Sequence, residues 1–235
     1  MSGRISWGKG SAMALLVATL PLTMLLLSAQ ESGKCESKQE GAIQATSEDP
    51  KGGGQEAAKE TGNISGVVQY ALVKKYPAVV FIEEMPGRTF APPEKHSIMD
   101  QLGKVFVPRA LPVVVGTTVD FLNSDELEHN VFSPDNEKYD LGNWGKGEKR
   151  VYTFNRPGAY TQLCSLHPEM IAYVVACKTP YFAVADAEGK FTIKDVPVGS
   201  WKLKVWHERL KPKQLEKTFD VTVELNKEAK CTIEP

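Results

Sequence analysis

The chain has 235 residues, of which 42% are hydrophobic and 24% charged, with a formal net charge of -1. That size and apolar content suit one or two globular domains with real cores. The near-even charge balance supplies no basic surface for nucleic acid or for anionic lipid, and neither is expected as a partner.

In chain order, residues 1–29 read as a signal segment. Arg4 and Lys9 precede the apolar run AMALLVATLPLTMLLLSA at 12–29, and polar residues follow. Cleavage is expected near Ala29. The run is about as long as the shortest membrane-spanning helices, although Pro21 interrupts it. Left uncleaved, it would tether the chain to a membrane. Cys35 is preceded by Lys34 where a lipoprotein signal needs a small residue, so no lipid anchor is expected. The expected location is periplasmic or otherwise extracytoplasmic. In such a compartment Cys35, Cys164, Cys177 and Cys231 could pair into two disulfides.

Residues 30–62 are poor in aromatics and rich in Gly, Glu, Gln, Lys and Ser, and read as a disordered linker. From residue 63 the pattern is β: ISGVVQYALV and PAVVFIEEM are β-branched runs bounded by Gly and Pro. KVFVPRALPVVVGTTVDFLNS adds short strands with a turn at Gly116-Thr117, and KRVYTFN, GAYTQLC and AYVVAC follow. No stretch sustains a 3.6-residue period, so little helix is expected. Strands at this spacing make 63–178 an all-β, Greek-key sandwich.

Residues 179–235 read as a second, small β-sandwich. YFAVADAEGKFTIKDV is its hairpin, closed by Glu188-Gly189. VGSWKLKVWHE, KTFDVTVEL and KCTIEP are its further strands, with Trp201 and Trp206 in the core. The stretch FAVADAEGKFTIKDVPVGSWKLKVW resembles the carboxypeptidase regulatory-like, transthyretin-like β domains. That resemblance implies a structural or adhesive module without an active site. Cys177 opens the unit and Cys231 lies in its last strand, so a disulfide between them would brace a small core.

The chemistry concentrates in CSLHPEM, which sets Cys164, His167 and Met170 at steps of three. Upstream, VDFLNSDELEHNVFSP places His129 where a polar loop meets an apolar segment. Loops distant in sequence converge at one end of a Greek-key sandwich. Two imidazoles, a thiolate and a weak axial thioether are the ligand set of a type 1, blue copper site. A zinc site would more often take several thiolates or histidines and would not need the methionine. Glu169 beside the loop is either a solvated charge or an alternative axial ligand to Met170.

The motifs HNV at His129, PGAYTQLC entering the site, and Cys164, His167 and Met170 at short-loop spacing resemble the cupredoxin family, with an amicyanin-type, plastocyanin-like ligand loop. The overall plan is similar to cupredoxin proteins of the methylamine-utilisation type that carry a C-terminal β domain. The resemblance implies one mononuclear copper held by His129, Cys164, His167 and Met170, with Asn130 tying the two ligand loops together by hydrogen bonds. Leu166 stands where the family often has proline, which leaves its N–H free to donate towards the Cys164 sulfur. Leu163 replaces a frequent aromatic.

The function so implied is an exported electron carrier moving single electrons between redox proteins, which dock on the apolar collar of Leu166, Pro168 and Ile171 around His167. The alternative is a structural or adhesive exported β protein whose metal site handles copper or has degraded. No enzyme is expected, because the chain offers no Ser/His/Asp set, no paired carboxylates in a motif, no phosphate loop, and only four histidines for a copper oxidase. His96 reads as a surface histidine and His207 as part of the second unit. Asn63-Ile64-Ser65 matches a glycosylation sequon that is common by chance.

Overall fold

The computed structural model describes residues 60–235, together with the backbone of 33–34 and 36–37. The expected signal at 1–29 and most of the expected linker lie outside the described residues. Among the described residues, no helix is long and apolar enough to cross a membrane.

The strands are β1 (Gly33–Lys34), β2 (Glu36–Ser37), β3 (Thr61–Val68), β4 (Val79–Ile82), β5 (Ser97–Gln101), β6 (Phe106–Val107), β7 (Ala110–Val114), β8 (Thr118–Leu122) and β9 (His129–Ser133). They continue as β10 (Tyr139–Trp144), β11 (Lys149–Thr153), β12 (Gly158–Leu163), β13 (Ile171–Cys177), β14 (Phe182–Val184), β15 (Lys190–Pro197), β16 (Gly199–Trp206), β17 (Phe219–Val223) and β18 (Glu228–Ile233). Helical turns occur at Ala71–Lys74 and Pro212–Leu215. The all-β expectation holds.

Two sandwiches result. In one, a sheet ordered β10-β9-β12-β13-β7 faces a sheet ordered β11-β8-β5-β6. In the other, β1-β17-β16-β4-β14 faces β15-β3-β18-β2. The chain therefore lays down four strands of the outer sandwich, β1 to β4, leaves to build an inserted sandwich, and returns to finish the first. This corrects the division into 63–178 and 179–235, because β3 and β4 belong with the C-terminal strands. β3 lies between β15 and β18, with Ile64 opposite both Ile193 and Ala229. β4 lies between β14 and β16, with Val80 opposite Ala183 and Val205. A β-branched run declares that it is a strand but not which partner it will take.

The linker expectation is corrected in part. Gly33–Lys34 pairs in parallel with β17, and Glu36–Ser37 pairs antiparallel with β18. Such pairing uses only backbone N–H and C=O groups of a sheet edge, so a polar composition does not reveal it. The hairpin at 182–197 is corrected too. The turn forms, with the Asp186 N–H donating to the Lys190 carbonyl and Gly189 at φ +80°. Its two strands then enter opposite sheets, β14 beside β4 and β15 beside β3.

Burial follows the two-residue period of each strand. In β4, Val80 and Ile82 point into the outer core while Val79 and Phe81 face the inserted sandwich. In β13, Ala172, Val174 and Ala176 fill the inserted core, and Tyr173, Val175 and Cys177 face outward onto Val79 and Trp206. Both faces are covered, which explains why these runs read as continuously apolar. Cys177 thus lies between the sandwiches as a free, buried thiol, whereas Cys231 is disulfide-bonded and packs in the outer core. The expected Cys177–Cys231 bond is not formed.

Candidate metal centre

Two loops at one end of the inserted sandwich meet. His129 is the first residue of β9, directly after the polar loop at 123–128. Cys164 follows the last residue of β12, and Met170 precedes the first residue of β13. The intervening turn is tightened by the Met170 N–H donating to the His167 carbonyl at 2.9 Å. β9 and β12 pair through Phe132 and Leu163, which brings the two loops alongside each other.

The imidazoles of His129 and His167 face each other with Nδ1 atoms 3.0 Å apart, and the Cys164 Sγ lies 3.9 Å from the His167 Nδ1. All three ligand-type atoms fall within 4.8 Å of one another. His129 is fully buried, Cys164 nearly so, and His167 is half-buried at the surface. Met170 is fully buried and packs in the same cluster as Cys164, while the Glu169 side chain is exposed. The structure thus brings His129, Cys164 and His167 together, buries Met170 in the core cluster that holds Cys164 and leaves Glu169 in solvent. His96 lies elsewhere, exposed and paired with Asp120 at 2.6 Å. His207 is buried in the outer sandwich.

Asn130 is buried and saturated. Its amide nitrogen donates to the Asp140 carboxylate at 2.7 Å and the Gly142 carbonyl at 3.1 Å. Its Oδ1 accepts the Ser165 N–H at 3.2 Å, and its own backbone N–H donates to the Cys164 sulfur at 3.4 Å. One residue therefore joins the β9 loop, the β10 strand and the cysteine loop. The backbone N–H directed at the sulfur is that of Asn130, the role expected of Leu166.

Sequence reasoning missed Asp125. Its Oδ2 lies 2.8 Å from the His129 Nε2, and its carboxylate accepts the N–H groups of Gly103 at 2.6 Å and Lys104 at 2.8 Å. Partial burial works against the charge, yet the donors from Lys104, Gly103 and His129 hold the Asp125 carboxyl below its usual range. Accepting the Nε2 proton fixes the tautomer that turns the His129 Nδ1 lone pair toward Cys164 and His167. The signal was present in DELEH, an acid four residues before the histidine.

This donor set fits copper. A thiolate with two imidazoles suits a soft, one-electron metal, and the thioether of Met170 shares a buried cluster with the thiol. The β-sandwich with His, Cys and His gathered at one end is the arrangement of the cupredoxins. Residues 97–178 match the family model of copper binding proteins, plastocyanin/azurin family. Among solved structures, a purple cupredoxin from Nitrosopumilus maritimus is 24% identical, covering 34% of this chain and 98% of its own, with a TM-score of 0.33. A reduced mutant of amicyanin is 24% identical, covering 37% of this chain and 91% of its own, with a TM-score of 0.34. A Cu-containing nitrite reductase from Thermus scotoductus SA-01 is 26% identical, covering 48% of this chain and 28% of its own, with a TM-score of 0.35. No curated protein matches the chain.

Proposed function

We propose that the chain is an exported type 1 copper protein that carries single electrons between redox partners and is not itself an enzyme. His129, Cys164 and His167 would hold one mononuclear copper, with Met170 as the weak axial ligand. The observation that carries this reading is the convergence of those three ligand-type atoms within 4.8 Å from two loops that Asn130 already ties together. When bound, copper supplies a Cu(II)/Cu(I) couple. The protein supplies a site that is assembled beforehand, so little rearranges on electron transfer.

His167 is the exposed edge of the cluster, and Leu166, 45% exposed, stands beside it. A redox partner docking there would bring its own centre near the imidazole through a small, fast-exchanging interface. The location we propose is periplasmic, with a membrane tether if the segment at 1–29 stays uncleaved.

The test is a visible spectrum after adding Cu(II) to the purified chain. We expect an intense thiolate-to-copper absorption that is lost in Cys164→Ser and altered in Met170→Gln. Glu169→Gln should leave the spectrum unchanged. A colourless protein would overturn the electron-carrier reading in favour of a structural β protein with a degraded site. Sensitivity to Glu169 instead of Met170 would reassign the axial ligand.

A further inference from the structure

An ion pair with one well-buried partner joins the two sandwiches near the start of β13. Arg109 precedes β7 in the inserted sandwich, and Glu208 follows β16 in the outer one. The guanidinium donates through Nε to the Glu208 Oε2 at 2.7 Å and through Nη2 to Oε1 at 3.1 Å, a two-point fork. The Glu208 side chain is only 3% exposed. The Arg109 guanidinium also lies over the Tyr76 ring at 4.8 Å, and Tyr76 is another residue of the outer sandwich. Glu208 is itself held in place, because Arg209 approaches its Oε1 at 3.4 Å and the Arg209 carbonyl accepts the Tyr70 hydroxyl.

The third contact of that guanidinium is the informative one. Nη1 donates to the Ile171 carbonyl at 3.3 Å, and the Arg109 carbonyl accepts the Tyr173 N–H at 2.9 Å. Arg109 therefore grips the first turn of the β13 ladder at two points. The residue just before Ile171 is Met170, fully buried in the core cluster that also holds Cys164.

We infer that Arg109 and Glu208 are positioning residues for the metal centre: from the outer sandwich, Glu208 holds Arg109 against the start of β13, and this fixes where the Met170 sulfur stands. The inference rests on the reading of Met170 as axial ligand. It gives the outer sandwich a role in tuning the copper and not only in supporting it. The axial contact is the long, weak one in such a site, so a small displacement of its backbone alters it most.

The experiment uses the full chain loaded with Cu(II), comparing Glu208→Gln and Arg109→Lys with the parent protein by copper EPR and reduction potential. Arg109→Lys keeps a charge to pair with Glu208 but has no fork to reach the Ile171 carbonyl as well. Both variants are expected to broaden the EPR hyperfine pattern and raise the potential, since a loosened thioether favours Cu(I). In the metal-free chain both should speed amide exchange at Met170 and Tyr173. Phe182→Ala, which loosens the same interface away from Arg109, should lower stability and leave spectrum and potential unchanged. Parent-like EPR and potential in both clamp variants would overturn the inference. Met170→Leu separates the two levels of the argument. If it leaves the spectrum and potential of the parent unaltered, the axial reading has failed, and the inference with it.

Discussion

At the residue scale, two buried groups show how environment sets chemistry. His207 is 1% exposed; its Nε2–H donates to the Tyr76 carbonyl and its Nδ1 accepts the Arg209 N–H, each at 3.1 Å. That arrangement suits only the neutral ring, and burial holds its pKa below the usual histidine value. The unfolded chain binds this proton more readily than the folded one, so its contribution to stability is present above about pH 6.5 and is lost as the pH falls below that. We expect the unfolding midpoint to drop between pH 7 and pH 5, with a shallower slope in His207→Gln. Burial pushes the Cys177 thiol the other way, up to about 12 from an ordinary 9. Native protein should therefore resist alkylation at Cys177 at neutral pH and become reactive only on unfolding. For Asn130→Ala we expect a loss of about 2 kcal/mol in metal-free stability by denaturant titration, because it orphans three partners on two segments. Cys164, His167 and Met170 stood out in the sequence because chemistry confines thiol, imidazole and thioether to few roles. For Asp125 the sequence offered only an acid near His129; the Gly103 and Lys104 N–H groups that hold it come from a distant loop.

At the element scale, strand existence was legible and strand partnership was not. GAYTQLC and AYVVAC announced β12 and β13, and Gly116 marked its turn with φ +90°. The glycine at 66 is informative in another way. It lies between Phe191 and Cys231 on the neighbouring strands, and a Cβ there would meet the Cys231 carbonyl at 2.3 Å. That contact is with backbone, which cannot step aside. Gly66→Ala should cost roughly 3 kcal/mol, read as a lowered unfolding midpoint of the outer sandwich. The outward residues of β4 and β13 explain why alternation fails as a guide there: each strand has a core on one side and the other sandwich on its reverse.

At the scale of the whole molecule, the insertion decides what can be separated. Residues 97–178 carry every proposed ligand, yet cutting them free would bare Tyr173, Val175 and Cys177 and leave Arg109 without Glu208. The excised segment is expected to bind hydrophobic dye and to unfold at lower denaturant than the full chain, although its own core of Trp144, Tyr160, Phe121 and Phe154 is intact. The strands themselves were visible from their β-branched runs. The return of β3 and β4 to the far end of the chain was not, because that pairing is a property of the closed sheet and not of any local window.

The clamp formed by Arg109 and Glu208 has a temporal side. A chain emerging from its N-terminus presents β3 and β4 long before β16 and β18 exist to pair with them, while His129 through Met170 arrive as one contiguous block. The ligand cluster can therefore assemble while the outer sandwich is still half made, and Glu208 is added to a site already gathered. Completion of the last strands becomes the step that would lock the proposed axial side, so a chain truncated before Glu208 would be expected to capture metal with a looser grip than the finished protein.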